Sequence, residues 1–334
     1  MNTNSANDEI KFTMKKFISA AYIVLIVFFI VCLAVFPERY IEACLDGAKI
    51  WALSVLPSLL PYFFLTSLLT ATGKLCSISC KLSPVTKVLY RTGGIGAYVQ
   101  IMSLLSGYPV GAKIIADLYE KKVIDEDQAA RMSTFSSTSG PLFIIGAVGI
   151  AMFNSKAVGL TIFISHALSS VICGIIFRKY GVNRAIPQRF ALTQNSENLL
   201  GESMLSSVTS VLVVGGFVAI FYTLSQIAED FHLLFILEKP LSLLMGNKLA
   251  SGFCRGLIEC TMGCKILSKS TTALSASLAS SLISFGGVSI ICQSVTFLKK
   301  AQVRTSLFIL SKIIQMTITF LISFFIFRFI LKFQ

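Results

Sequence analysis

The chain has 334 residues, of which 54% are apolar and only 13% charged, with a mean hydropathy of +0.78. Soluble domains carry about 25% charged residues, so this composition excludes an ordinary water-soluble fold, and disorder with it. The net charge of +13 comes from Lys and Arg in short loops between apolar runs, the pattern of cytoplasmic loops rather than of a nucleic-acid partner.

In chain order, Lys11, Lys15 and Lys16 precede an apolar run over 17–36 that is long enough to span a bilayer. It leaves through Val35-Phe36-Pro37-Glu38-Arg39 without the small residues of a cleavage site. This predicts a retained signal-anchor helix with a cytoplasmic N-terminus. Further apolar runs cover 50–72, 94–116, 134–153, 157–177, 206–228, 231–246, 249–267, 272–297 and 305–331. Four of them are interrupted: 94–116 by Ser106-Gly107-Tyr108-Pro109, 134–153 by Ser139-Gly140-Pro141, 249–267 by Ser251-Gly252, and 272–297 by Ser284-Phe285-Gly286-Gly287. Non-helical backbone at membrane depth is tolerated only inside protein or against an aqueous cavity. Between 117 and 131 the chain is polar, and Asp125 is placed to cap a short helix.

The interruptions repeat. SGYPVG at 106–111 matches SGFCRG at 251–256, and TSGPLFII at 138–145 matches SFGGVSII at 284–291, at almost one displacement. Two matches at a shared offset predict an internal repeat. The expected organisation is a tail and anchor over 1–40, a first repeat over 41–180, a linker over 181–205 and a second repeat over 206–334. Basic clusters at Lys74/Lys81/Lys87/Arg91, at Arg178/Lys179/Arg184/Arg189 and at Lys299/Lys300/Arg304 read as cytoplasmic. If 94–116 and 249–267 are re-entrant, the repeats have opposite orientations and the chain crosses seven times. The fold class is then an all-α membrane protein of two inverted-topology repeats, each with a re-entrant helical hairpin and a broken transmembrane helix, the core of a secondary transporter.

A helix broken at the midplane exposes N–H groups that favour anions and carbonyls that favour cations. The candidate solute-binding residues follow: Ser106, Gly107 and Tyr108, with Lys113 beyond them, at the first hairpin; Thr138, Ser139 and Gly140 at the first broken span; Ser251, Gly252, Arg255 and Glu259 at the second hairpin; Ser284, Gly286 and Gly287 at the second broken span. The bland alternative is close helix packing through small residues. Glu259 is either a functional intramembrane carboxylate or the partner of Arg255, four residues earlier on one helix. Lys113 attracts an anion or snorkels to the interface. His166 reads as a packed or locally hydrogen-bonded residue of a plain span, and the facing of Lys312 and Gln315 is left open. Nine cysteines include no Cys-x-x-Cys pair, although Cys76/Cys80 and Cys260/Cys264 are spaced to share helix faces. With two His in the chain, no metal site is expected. Nor does the sequence contain a nucleotide loop or a nucleophile–base arrangement, so an enzyme is not expected.

SGYPVGAKIIADLYEKK, then SGPLFIIGAVGIAMF, followed by His166, resembles the YlbJ-type sporulation integral membrane proteins. These are grouped with nucleoside-recognition gate domains related to concentrative nucleoside transporters. The resemblance implies a carrier fold with two inverted repeats, a role in endospore formation, and movement of dipicolinic acid across the outer forespore membrane. Dipicolinate is a planar dianion, which helix N-termini, serine hydroxyls, and Lys113 or Arg255 would suit, with Tyr108 or Phe253 against its ring. Glu259 matches a hairpin carboxylate, whereas the first hairpin has none close to SGYPVG. The expected partners are a small-molecule solute and the lipid bilayer. Coupling to Na+ or H+ and assembly into a homo-oligomer are left open by the residues.

Overall fold

Helices make up most of the described residues, and glycine, proline and one glutamate mark several of the points where they break. The computed structural model describes residues 20, 23–71, 81–181 and 198–330, and every element among them is a helix. Lys74, Cys76, Cys80, Arg184, Arg189, the N-terminal lysines and most of the 181–205 linker lie outside the described residues.

The N-terminal helix α1 (Ile23–Val35) ends where the sequence placed its exit, and α2 (Pro37–Ile50) leaves at 105° to it. Proline fits the first turn of α2 because the N–H it lacks has no helical acceptor there. A π-helical turn over Trp51–Val55 carries α2 into α3 (Leu56–Ala71). Next come α4 (Ser83–Leu89), α5 (Gly94–Ser106), α6 (Val110–Glu120) and α7 (Glu126–Ser133). Asp125 caps α7 as anticipated, its carboxylate accepting from the Gln128 amide at 2.7 Å while the Gln128 side chain accepts from the Asp125 amide at 3.2 Å. Residues 134–140 leave the helix, α8 (Leu142–Met152) follows as a wide π-type helix, and α9 (Lys156–Phe177) starts on a Ser155 cap.

The same order then recurs. After the long α10 (Leu199–Asp230) come α11 (Phe235–Met245), the pair α12 (Asn247–Ile258) and α13 (Cys260–Leu267), the interrupted α14 (Ala273–Phe285) and α15 (Gly287–Leu298), and the final α16 (Thr305–Phe325). Thus α4–α9 and α11–α16 each read short helix, helix pair, interrupted segment, long helix.

Three expectations need correction. The second hairpin is not interrupted at Ser251-Gly252, which lie inside α12; the interruption is at Glu259, whose backbone is extended (φ −135°, ψ 111°). Gly252 serves packing, since a Cβ there would come within 2.9 Å of Ile266. Next, the break over 284–287 narrows to Gly286 and Gly287, both in the left-handed region at φ +88° and +71°, and Ala273–Leu298 still runs on as one apolar span. Last, seven crossings are expected, and among the described residues four helices are long and apolar enough to cross: Lys156–Phe177, Leu199–Asp230, Ala273–Leu298 and Thr305–Phe329. The bent N-terminal pair brings the number to five. The expected crossing at 134–153 falls short because its first residues are unwound, leaving the 11 residues of α8.

At the centre α9 lies beside α16, with α8 packed on α9 and α14 on α16. The second helix of each pair reaches the interrupted segment of the other set, α6 on α15 and α13 on α8. Outside this core, α10 runs along α2 and α3, fixed by an Arg39–Asp230 ion pair at 2.5 Å and by the Trp51 indole donating to the Val211 carbonyl at 3.1 Å. Two apolar clusters fill the interior, one around Val99, Met102, Ile115 and Phe308, the other around Ile144, Ile162, Leu282 and Phe327. Large apolar side chains such as Leu212, Ile220 and Leu321 remain exposed, as expected of a surface solvated by lipid chains.

Candidate functional site

The first helix pair breaks at Gly107 because the backbone there (φ +82°, ψ −174°) is a conformation that essentially only glycine adopts. Absence of a side chain also lets the break touch the first interrupted segment: a Cβ on Gly107 would lie 2.8 Å from the Gly140 nitrogen. The second pair repeats the arrangement with different residues. Its break at Glu259 lies against Gly287, where an added Cβ would stand 3.0 Å from the Ile258 carbonyl oxygen.

Both junctions open onto one recess of about 530 Å³, its mouth included. Gly107, Tyr108, Ser139 and Gly140 line it from one set of helices, and Glu259, Cys260, Thr261, Ser289 and Gln293 from the other. Val55 and Leu59 before and within α3, and Val214 and Val218 of α10, make an apolar outer wall. The recess therefore has the mixture expected of a small-molecule site, a mostly apolar surface with a few convergent polar groups.

Glu259 is 2% exposed, and its Oε2 accepts from the Met262 amide at 2.8 Å, which makes it the N-cap of α13. Its negative charge is thereby offset by the positive end of that helix. The alternative partner named from the sequence is engaged elsewhere: Arg255 forms an ion pair with Glu229 of α10. Lys113 likewise turns to α10, donating to the Ser206 hydroxyl and, at 3.5 Å, to that of Ser210. Neither cation lines the recess, nor do Ser251 and Gly252. Thr138 sits just behind it, its Oγ1 2.7 Å from Ser103 Oγ, and Ser106 Oγ is buried with no hydrogen-bond partner among the described residues.

Beneath the recess lies a buried polar layer. His166 of α9 takes a hydrogen bond from the Ser139 amide on Nε2 at 2.9 Å, and its Nδ1 stands 2.6 Å from Ser284 Oγ. With Nε2 accepting, the ring proton is on Nδ1 and is donated to Ser284. Thr319 Oγ1 connects Ser284 at 2.7 Å to Ser169 at 2.6 Å. Lys312 of α16 is 1% exposed and donates to the Ser137 carbonyl at 2.7 Å, to Gln315 Oε1 at 2.9 Å and to the Tyr108 hydroxyl at 3.2 Å. Tyr108 in turn donates across to the Ile283 carbonyl at 2.9 Å.

A packed or locally hydrogen-bonded His166 is what the sequence predicts, and the structure adds its partners; the facing of Lys312 and Gln315 is open in the sequence. One signal was available. His166, Ser169, Ser170 and Cys173 share one face of α9, and Lys312, Gln315, Thr319 and Ser323 share one face of α16, each at helical spacing. A polar stripe on an apolar helix turns inward in a bilayer.

Long apolar helices, a lipid-solvated surface and interrupted segments meeting in an internal recess define an all-helical integral membrane protein. No family model matches the chain, and no solved structure matches it. The chain is similar to the sporulation integral membrane protein YlbJ of Bacillus subtilis (strain 168), at 29% identity over 307 residues, which cover 84% of this chain and 75% of that protein. Similarity over that length supports placing the chain with the YlbJ-type proteins.

Proposed function

We propose that the protein is a secondary transporter of a small organic anion, and that the anion is dipicolinate, carried across the outer forespore membrane during sporulation. The observation supporting this most is the meeting of two hairpin breaks and the first span break at one recess, with Gly287 of the second span break packed against the Glu259 junction although neither it nor Ser284 nor Gly286 lines the recess. Carriers place their solute where discontinuous helices present unpaired backbone groups. The recurrent helix order supports two repeats, and opposite orientations would let one rock against the other around the fixed recess. In that reading both helix pairs are re-entrant, and the dipicolinate assignment rests on the similarity to a sporulation membrane protein.

The test is flux into proteoliposomes of labelled dipicolinate against uridine, with and without a sodium or proton gradient. Dipicolinate uptake that exceeds uridine uptake is the expected result, and uridine uptake alone would turn the assignment towards a nucleoside carrier. Terbium fluorescence of spores lacking the protein gives the cellular counterpart, with dipicolinate strongly reduced. If neither solute moves and spore dipicolinate is normal, the protein is a scaffold and the transport reading fails.

A further inference from the structure

Three cations are available to select an anion near the recess, and two are already committed. Arg255 is paired with Glu229, and Lys113 is held by serines of α10. The third, Lys312, is fully buried, and no carboxylate lies within ion-pairing distance of it among the described residues. Its three ammonium protons each meet an acceptor, on Ser137, Gln315 and Tyr108. Three neutral acceptors hold an ammonium in place without cancelling its charge, and an uncompensated charge at membrane depth is costly unless something completes it.

Gln315 supplies a second sign. Its carbonyl oxygen must face Lys312, since the opposite orientation would set amide protons against ammonium protons. The Nε2 is then left buried with no acceptor among the described residues. A fixed cation and an orphaned donor stand together, and both lack negative charge. Tyr108 links them to the recess, because it lines that space while its hydroxyl accepts from Lys312 and its ring lies under the ammonium at 5.0 Å. Glu259, the acid of the recess wall, is spent on the cap of α13.

From this geometry we infer that Lys312, assisted by Gln315 and screened by Tyr108, is the charge-selecting site for a carboxylate solute. The inference rests on the carrier reading and names what that reading leaves open, the residue that distinguishes an anion from a neutral molecule of the same shape. A planar carboxylate in the recess would draw on the ammonium through or past the Tyr108 phenol, and its charge would complete the site.

The test measures binding of pyridine-2,6-dicarboxylate and of its neutral diamide to the full chain in lipid nanodiscs. The wild type should prefer the dianion by about tenfold or more. K312Q should abolish that preference, K312R should retain it, and K113Q and R255Q should leave it in place. Equal affinity of the wild type for the two probes overturns the inference without any variant, which covers the case in which K312Q does not fold. A dianion preference that survives K312Q, or that disappears with K113Q or R255Q instead, overturns the inference and leaves the carrier reading standing. A wild type that binds neither probe but takes up uridine overturns the anion assignment and the inference together.

Discussion

His166 and Ser284 stand 2.6 Å apart, Nδ1 to Oγ, although one belongs to an unbroken helix and the other to the end of α14 beside the Gly286 interruption. The same imidazole accepts from the Ser139 amide in the unwound stretch before α8, so one ring ties both interrupted segments to α9. Replacing it strands a backbone donor in a place without water. H166A should lower stability by about 1–3 kcal/mol, the cost of leaving a buried donor unsatisfied. Thermal unfolding in detergent checks this. An unchanged midpoint would mean the ring is not the tie that the geometry describes.

Gly107 is constrained twice over, by its own backbone angles and by the approach of Gly140. G107A adds a side chain in a backbone region that costs of the order of 1–3 kcal/mol for other residues, and the added carbon would press on Gly140. Gly216 in α10 is the control, because nothing lies within 4 Å of where its Cβ would be. G216A should be neutral or stabilising by up to about 1 kcal/mol through helix propensity. Melting curves of the two variants should therefore move in different directions, and parallel shifts would contradict the close approach at Gly107.

Glu259 separates a structural role from a charge role. E259A removes the cap of α13 and should cost about 0.5–2 kcal/mol. E259Q keeps an oxygen for the Met262 amide, so its stability should stay within about 1 kcal/mol of the wild type. Any loss of solute flux in E259Q then reports on the carboxylate's charge at the recess. Flux equal to wild type in E259Q would assign Glu259 to capping alone.

The ion pair of Arg255 with Glu229 fastens α12 to α10. Its side chains are 15% and 38% exposed, so a double-mutant cycle with R255Q and E229Q should give a coupling of no more than about 1 kcal/mol, reduced by salt. Exchanging the two residues should restore most of it. A null cycle at low ionic strength would return Arg255 to the pool of free cations.

Cys260 lines the recess yet is 2% exposed. With the other cysteines replaced, a membrane-impermeant maleimide should modify it from only one side at a time, and a bound solute should protect it. Labelling that ignores solute would argue against a recess that opens and closes.

Much of this architecture was legible in the residues. Composition fixed the membrane class, and Gly107 and Gly140 marked two breaks because their neighbours are polar or prolyl within apolar runs. The match between 138–145 and 284–291 pairs Gly140 with Gly286, where the chain is indeed interrupted in both sets. The match of SGYPVG with SGFCRG misplaced the second break by about two helical turns. Nothing in Ser251-Gly252 distinguishes a packing glycine from a breaking one, whereas Glu259 breaks its helix through a side-chain cap that composition does not reveal. The polar layer was harder still. His166 and Lys312 lie 146 positions apart, and only the pairing of α9 with α16 makes them parts of one floor.

That floor has a mechanical consequence. The boundary where α9, α14 and α16 meet carries a patch of hydroxyls, from Ser169 and Thr319 to Ser284, beside the apolar cluster of Ile162, Leu282 and Phe327. Oily surfaces resist sliding because each displacement opens a void, whereas hydroxyls can exchange partners with incoming water at little enthalpic loss. If the proposed carrier rocks, this hydroxyl patch is where the two sets of helices can slip with the least loss, while the apolar cluster beside it resists.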